Sequence, residues 1–327
     1  MPNHAQAIAA AISRAARLPL ELVATQVKAN PHGFVPRIPG WKGQAARRIL
    51  LPLTRYAEPA AVVLTTAAKK MRSAKAGPIP FAGDLPLLRE AAQDPTARSR
   101  ARCVLTHDVD WRLCYDSLPW LTELQERLGL RATYHFLTEW RYRPERARLD
   151  AMAAAGHEIG LHGRLHDAAI GYRNRRQMER EIDRALALLP PGIRSYRAPA
   201  LGFSLPLADV LASRGLAIDS SLLVVNRYGN CAQSVWPYAV APGLVEIPLT
   251  MQDDLMFRDL RLSDDEALAL VRRQMEAVFN AGGTFVFNGH PGIMQAHRRF
   301  TEGLLHLLRD SGVPVTTMAD PALLECA

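Results

Sequence analysis

Cysteine is scarce in this chain: four residues among 327, at Cys103, Cys114, Cys231 and Cys326. Their spacing matches neither a zinc ribbon nor a dense disulfide framework. Cys103 and Cys231 stand in apolar surroundings, the setting of buried thiols, and so few cysteines suit a reducing compartment. No run reaches 18 uninterrupted apolar residues, which argues against a transmembrane helix. Residues 7–26 are rich in Ala and Leu but carry Arg14, Arg17 and Glu21. No signal peptide is therefore expected, and the predicted location is cytoplasmic. Aromatic residues make up 7% of the chain and do not interleave with its short basic clusters, which argues against a nucleic-acid partner.

What is present is the composition of a folded protein, 48% hydrophobic and 22% charged, enough to bury a core. The formal net charge is +8, which favours anionic partners such as acidic saccharides or anionic lipid. The most apolar stretch, residues 49–68, is interrupted by Pro52, Arg55, Glu58 and Pro59 and flanked by Arg47, Arg48, Lys69 and Lys70. Two readings fit it: peripheral contact with the inner face of an anionic membrane, or helices packing on the main domain.

Residues 1–100 read as short helices broken by Pro and Gly, a mostly helical N-terminal extension. Over residues 101–327 apolar runs of strand length alternate with helical stretches. Strands are expected at 103–106, 132–137, 157–161, 195–198, 217–223, 245–250, 284–287 and 313–317. Helices are expected at 118–128, 145–155, 174–189, 205–213, 263–280 and 298–310. Ser263 with Glu266 has the spacing of a capping box, and Gly129, Gly156 and Gly215 follow helices as C-caps do. This alternation implies βαβ units and a parallel sheet. Seven or eight repeats favour an α/β fold closed into a (β/α) barrel, whose chemistry sits at the C-terminal ends of the strands.

Four strand ends carry ionisable residues. The first reads Thr106-His107-Asp108-Val109-Asp110. Carboxylates two apart on a strand point to the same side, so one can bind a metal while the other stays free as a base. The third leads into His162-Gly163-Arg164-Leu165-His166. Two His four apart lie on one face of a helical turn and can grip one ion. Two His and one Asp form a common ligand set that leaves room for water, whose pKa such an ion lowers. The fourth ends in Tyr196-Arg197-Ala198-Pro199, where an Arg can hold the free carboxylate. The seventh ends in Asn288-Gly289-His290-Pro291, where a His can protonate a leaving amine.

In this order the motifs resemble those of the polysaccharide deacetylase family, the nodulation-type chitooligosaccharide deacetylase homology domain or carbohydrate esterase family four, in its Asp-x-Asp branch. The resemblance covers residues 102–317 and omits the first hundred. It implies a distorted parallel (β/α) barrel and hydrolysis of acetyl groups on sugars. It also implies one divalent metal, zinc in the first place, with cobalt, nickel or manganese as alternatives. It makes Asp108 the base, Asp110, His162 and His166 the metal ligands, Arg197 the residue that orients Asp108, and His290 the general acid.

Two departures stand out. The family's Asp before a Trp has no plain counterpart, which leaves Asp219 or Asp254 to orient His290. His107 replaces an apolar residue, as a fifth polar group facing the site. The expected function is removal of an acyl group, acetyl first, from the nitrogen of an amino sugar in an envelope polysaccharide, glycolipid or sugar precursor. The alternatives are a deformylase, amidase or esterase acting on a lipid-linked sugar or small metabolite, and a carbohydrate-binding barrel without catalysis.

Overall fold

The computed structural model describes residues 2–29, 80–225 and 231–324. The apolar stretch 49–68 and Cys326 lie outside them. At the centre is β1 (Arg102–Val109), buried along its length from Cys103 onward. A strand covered on both faces needs an apolar run, not an alternating one, and Cys103, Val104 and Leu105 supply it. β1 pairs in parallel with β2 (Thr133–Leu137) on one edge and β9 (Thr284–Gly289) on the other. The short β10 (Val315–Thr316) also pairs with it, at Cys103 and Val104.

The sheet continues from β2 through β3 (Glu158–Gly163), β4 (Ser195–Tyr196) and β5 (Ile218–Asp219), all parallel. It ends in the antiparallel pair β7 (Leu244–Glu246) and β6 (Tyr238–Ala241). On the far side of β9 lies β8 (Met251–Gln252). The strands curl into a distorted, mostly parallel barrel with helices. A parallel bridge between Leu223 and Leu249 links the stretch after β5 to the approach of β8.

Among the described residues ten strands form where seven or eight are expected. Of the run at 245–250 only Val245 and Glu246 lie in a strand, β7, because Pro248 has no N–H to give a ladder, and β8 starts beyond the run. β6 and β7 are joined through Pro242 and Gly243, the latter at φ 78°, a proline–glycine turn whose second residue needs positive φ. The run at 217–223 shortens to the two-residue strand β5 and an isolated bridge at Leu223, because the Asp219 side chain accepts the Ser221 N–H at 3.2 Å, competing with the ladder.

The helices follow their apolar spacing. Helix Arg298–Arg309 buries Phe300, Leu304, Leu305 and Leu308, three and four residues apart, so they share a face. Truncating Phe300 to Ala would cost roughly 3–5 kcal/mol. Helix Asp264–Asn280 opens on a capping box, Ser263 and Glu266 exchanging side chain to backbone bonds at 3.4 and 2.9 Å. Among the described residues, the start of the chain is helical over Pro2–Ala16 and Leu20–Ala29. Helix Pro2–Ala16 places Ile8 and Ile12 in the same core cluster as the barrel strands. Cys103 and Cys231 are buried free thiols. Among the described residues no helix is long and apolar enough to cross a membrane.

Candidate functional site

The alternation of β1 sorts its polar residues. Thr106 and Asp108 face one side, with Asp110 continuing the series just beyond the strand, and His107 faces the other. His107 is fully buried against Tyr134 and Gln125, its Nε2 2.7 Å from Gln125 Nε2. It does not join the site. The expectation that it would is corrected by its parity on the strand. Burial pulls its pKa down to about 3, which keeps the ring neutral.

Asp110, His162 and His166 come together, with one ligand atom from each within 4.8 Å of the others. His162 reaches this point through an irregularity. Phe136 pairs with Leu161 but Leu137 pairs with Gly163, so His162 is the extra residue of a bulge, which re-aims its side chain. Gly163, at φ 112°, then turns the chain so that His166 returns from a loop. The pair thus spans a bulged strand and a bend; it is not on one face of a helical turn.

The donors suit a divalent ion. His162 Nδ1 meets the Arg197 carbonyl at 2.8 Å, which places its proton on Nδ1 and leaves the Nε2 lone pair for a ligand bond. Asp110 Oδ1 is buried without a hydrogen bond although His162 Nε2 is 3.0 Å away. That is the relation of two ligands directed at a common point. Burial pushes the Asp110 carboxyl up, but His166, His162 and His290 outweigh it and hold its pKa well below the usual range.

Asp108 is a separate carboxylate, 5% exposed. Arg197 Nη1 donates to its Oδ1 at 3.2 Å and Asn288 Nδ2 to its Oδ2 at 2.8 Å. Its register partner on β2 is His135, 3.6 Å away and buried. Burial raises the Asp108 pKa, and the charges of Arg197, His162 and His135 more than reverse this, to about 2. The group is therefore ionised at neutral pH. Arg197 is itself completely buried. It is fixed by Nε to Ser220 O at 2.7 Å, Nη2 to Ser220 Oγ at 2.8 Å, and Nη1 to Thr106 Oγ1 and Asn288 Oδ1.

His290 follows β9 with its Nε2 3.5 Å from Asp110 Oδ2. Its Nδ1 is 2.6 Å from Asp253 Oδ1, and its backbone N–H donates to Asp253 Oδ2 at 2.6 Å. The orienting carboxylate is thus Asp253, a correction to both Asp219 and Asp254. Asp219 is engaged elsewhere, receiving Ser221 Oγ at 2.7 Å and lying beside Glu246. Asp254 is the next residue along, where the chain enters the π-helical turn Leu255–Asp259. Burial disfavours charge on His290, yet Asp253 and Asp110 together lift its pKa well above the ordinary value.

Three residues escape sequence reasoning. Asp253 follows a strand of only two residues, too short for any period. His135 sits inside a mostly apolar run as its one histidine, which is the only signal it offers. Its ring also needs Gly160, where a Cβ would come within 2.6 Å of it. Trp111 follows Asp110 directly and stacks on His290, with ring centres 5.7 Å apart.

The family model that matches residues 105–297, more than half of the chain, is described as WbmS-like polysaccharide deacetylase. The chain belongs to that family. It is accordingly a hydrolase of the polysaccharide deacetylase class, acting on acetylated carbohydrate through carbon–nitrogen bonds other than peptide bonds. Among solved structures, the chain is similar to a candidate polysaccharide deacetylase from Mycobacterium smegmatis. The two are 21% identical, over 68% of this chain and 89% of that one, at a TM-score of 0.54. A candidate polysaccharide deacetylase involved in O-antigen biosynthesis in Bordetella bronchiseptica is 19% identical over 69% and 89% of the two chains, at 0.43. A family 4 acetyl xylan esterase from Clostridium thermocellum, in complex with a cobalt ion, is 14% identical over 68% and 91%, at 0.46. At 21% identity and a TM-score of 0.54, the first of these likenesses speaks for the fold alone. A search among curated proteins finds no match.

Proposed function

We propose that the protein removes an acyl group, acetyl in the first place, from the nitrogen of an amino sugar, with one divalent ion held by Asp110, His162 and His166. The observation that carries this reading is a buried, ionised Asp108 outside the ligand set but beside it, clamped by Arg197 and Asn288. When bound, an ion in this set supplies Lewis-acid chemistry, polarising the acyl carbonyl and lowering the pKa of water; zinc suits the two-His, one-Asp donors best.

Asp108 takes the proton of the attacking water. Arg197 and Asn288 each occupy one of its oxygens from one side, which fixes the direction in which the remaining lone pairs point. His290 gives a proton from Nε2 to the departing nitrogen. Asp253 on Nδ1 sets its tautomer and supports its charge, so the ring is poised as an acid. Trp111, half-buried and stacked on His290, offers its free area to the sugar ring. Proton transfer of this kind contributes roughly 10²–10⁴-fold.

The test is acyl release by zinc- or cobalt-loaded protein from N-acetylated and N-formylated sugars in free, nucleotide-linked and lipid-linked form, with Asp108→Asn alongside. Release that disappears in the variant supports the reading. Equal turnover in the variant refutes the role of Asp108, and absence of bound metal refutes the ligand set.

A further inference from the structure

His135 stands opposite Asp108 in the register of β2 and β1, and its side chain is completely buried. Among the described residues it is the one buried histidine with neither ring nitrogen hydrogen-bonded to protein. Buried polar groups without partners cost free energy and are rare in folded proteins. A phenylalanine would fill the same space without that cost.

The supply of donors to Asp108 gives the ring a task. Arg197 Nη1 has two hydrogens and three acceptors: Asn288 Oδ1 at 2.7 Å, Thr106 Oγ1 at 2.8 Å and Asp108 Oδ1 at 3.2 Å. The contact with Asp108 is the longest of the three, so this nitrogen serves Oδ1 least. Asp108 Oδ2, by contrast, receives Asn288 Nδ2 at 2.8 Å. His135 Nδ1 faces the under-supplied Oδ1 from β2, at 3.6 Å. That gap becomes a hydrogen bond when it closes by about half an ångström. Catalytic hydrogen bonds are often longer in a free site than in the reacting complex.

Charge decides the tautomer. Burial, then the Arg197 charge, push the His135 pKa well below its ordinary value, so the ring is neutral and carries one N–H. A bare lone pair on Nδ1 would face an ionised carboxylate, so the proton belongs on Nδ1. Nε2 is left as an acceptor. The Ser195 hydroxyl lies on that side, both atoms being within 3.0 Å of the place a Gly160 Cβ would take. Ser195 Oγ is also buried and has no other bond in the protein.

We infer that His135 is a positioning residue of the hydrolysis: its Nδ1–H closes on Asp108 Oδ1 in the reacting complex and fixes the base toward the attacking water. This inference rests on the reading of Asp108 as the base.

Spectroscopy and kinetics test it on full-length, zinc-loaded protein. With isotope-labelled histidine, NMR should find the His135 proton on Nδ1, as a downfield N–H resonance that moves upfield in Asp108→Asn. A proton on Nε2, or a resonance indifferent to Asp108→Asn, overturns the inference. Kinetics use the N-acetylated or N-formylated sugar that the wild-type protein turns over. His135→Phe should lower kcat roughly ten- to hundredfold, the scale of one hydrogen bond to a charged group, with KM and bound metal unchanged. Its thermal midpoint should equal or exceed that of the wild type, because two unpartnered nitrogens are removed. His135→Asn sets an amide Nδ2 near the place of Nδ1 and should recover most of kcat. An unchanged kcat in His135→Phe, or a loss that His135→Asn shares in full, makes the ring a packing residue and overturns the inference. No acyl release from any of these sugars by the wild type overturns the deacylase reading and with it the role of His135, whereas the Nδ1 bond stands or falls on its own spectrum.

Discussion

Arg197 and Asp108 meet at 3.2 Å in a space closed to solvent, the guanidinium fully buried and the carboxylate nearly so. A buried pair of this kind is a poor source of net stability, because desolvation offsets the attraction. Its value lies in direction: five hydrogen bonds from the guanidinium to Ser220, Thr106, Asn288 and Asp108, three of them shared by Nη1, leave the carboxylate one orientation.

Removing one partner of such a pair is costly, because the other is left charged and buried. Arg197→Leu should lower the unfolding free energy by about 3–5 kcal/mol, measured in urea. Arg197→Lys should lose most of it too, since one ammonium cannot reach the Ser220 carbonyl and the Asp108 side together. A loss below about 1 kcal/mol in either variant would contradict the buried-clamp description.

Asp108→Asn addresses chemistry instead. The amide keeps the shape and still accepts from Arg197, but it has no basic oxygen. Acyl release should fall about 10²–10⁴-fold, while metal content per chain, by elemental analysis, stays that of the wild type because Asp110, His162 and His166 are intact.

Asp253→Asn tests the acid. His290 must be protonated to act, so activity falls as pH rises through its pKa. Asp253 holds that pKa high. Without the charge the pKa drops, and the alkaline limb of the rate profile should move to lower pH. A profile that only scales down, with its limb unmoved, would deny Asp253 this role.

These residues differ in how far sequence alone exposes them, for physical reasons. Asp108 and Asp110 share a side because strand parity is local, and the same parity takes His107 out of the site. The βα alternation reflects repeated local periods, and the parallel curled sheet follows from it. Asp253 and His290 are 37 residues apart, joined only by the closure of β8 onto β9. The His162 bulge depends on a register shift against Phe136 and Leu137, which no spacing within β3 reveals. The proline–glycine turn at Pro242 and Gly243 is a local signal and marks a hairpin that the repeat pattern hides.

Metal binding should register in stability independently of turnover. An ion that binds the folded chain alone adds about 2.7 kcal/mol at one hundred times its Kd. Zinc or cobalt should therefore raise the thermal midpoint by several degrees, and a chelator should reverse the rise. In His162→Ala with His166→Ala the midpoint should not respond to either. An unchanged response in that variant would locate the ion elsewhere.

Glu246 and Asp219 form the last test, away from the metal ligands. Both are completely buried and adjacent, so they cannot both ionise at low cost. Asp219 accepts the Ser221 hydroxyl and N–H, which favour its charged form. Burial first, and then the Asp219 charge, raise the Glu246 pKa well above its ordinary 4.5, so Glu246 holds the shared proton. The folded state thus keeps a proton that the unfolded chain releases above about pH 4.5. The stability contributed by this group is full below that pH and declines, by up to about 1.4 kcal/mol per pH unit, as pH rises toward its folded pKa. Glu246→Gln keeps an oxygen for the Leu222 N–H, which Glu246 now accepts at 3.0 Å, and carries no proton to lose. Its unfolding free energy, measured from pH 5 to 8, should decline less steeply than that of the wild type and equal or exceed it at the alkaline end. Parallel curves for the two proteins would mean that Glu246 is ionised in the fold, and the proton would have to be assigned to Asp219.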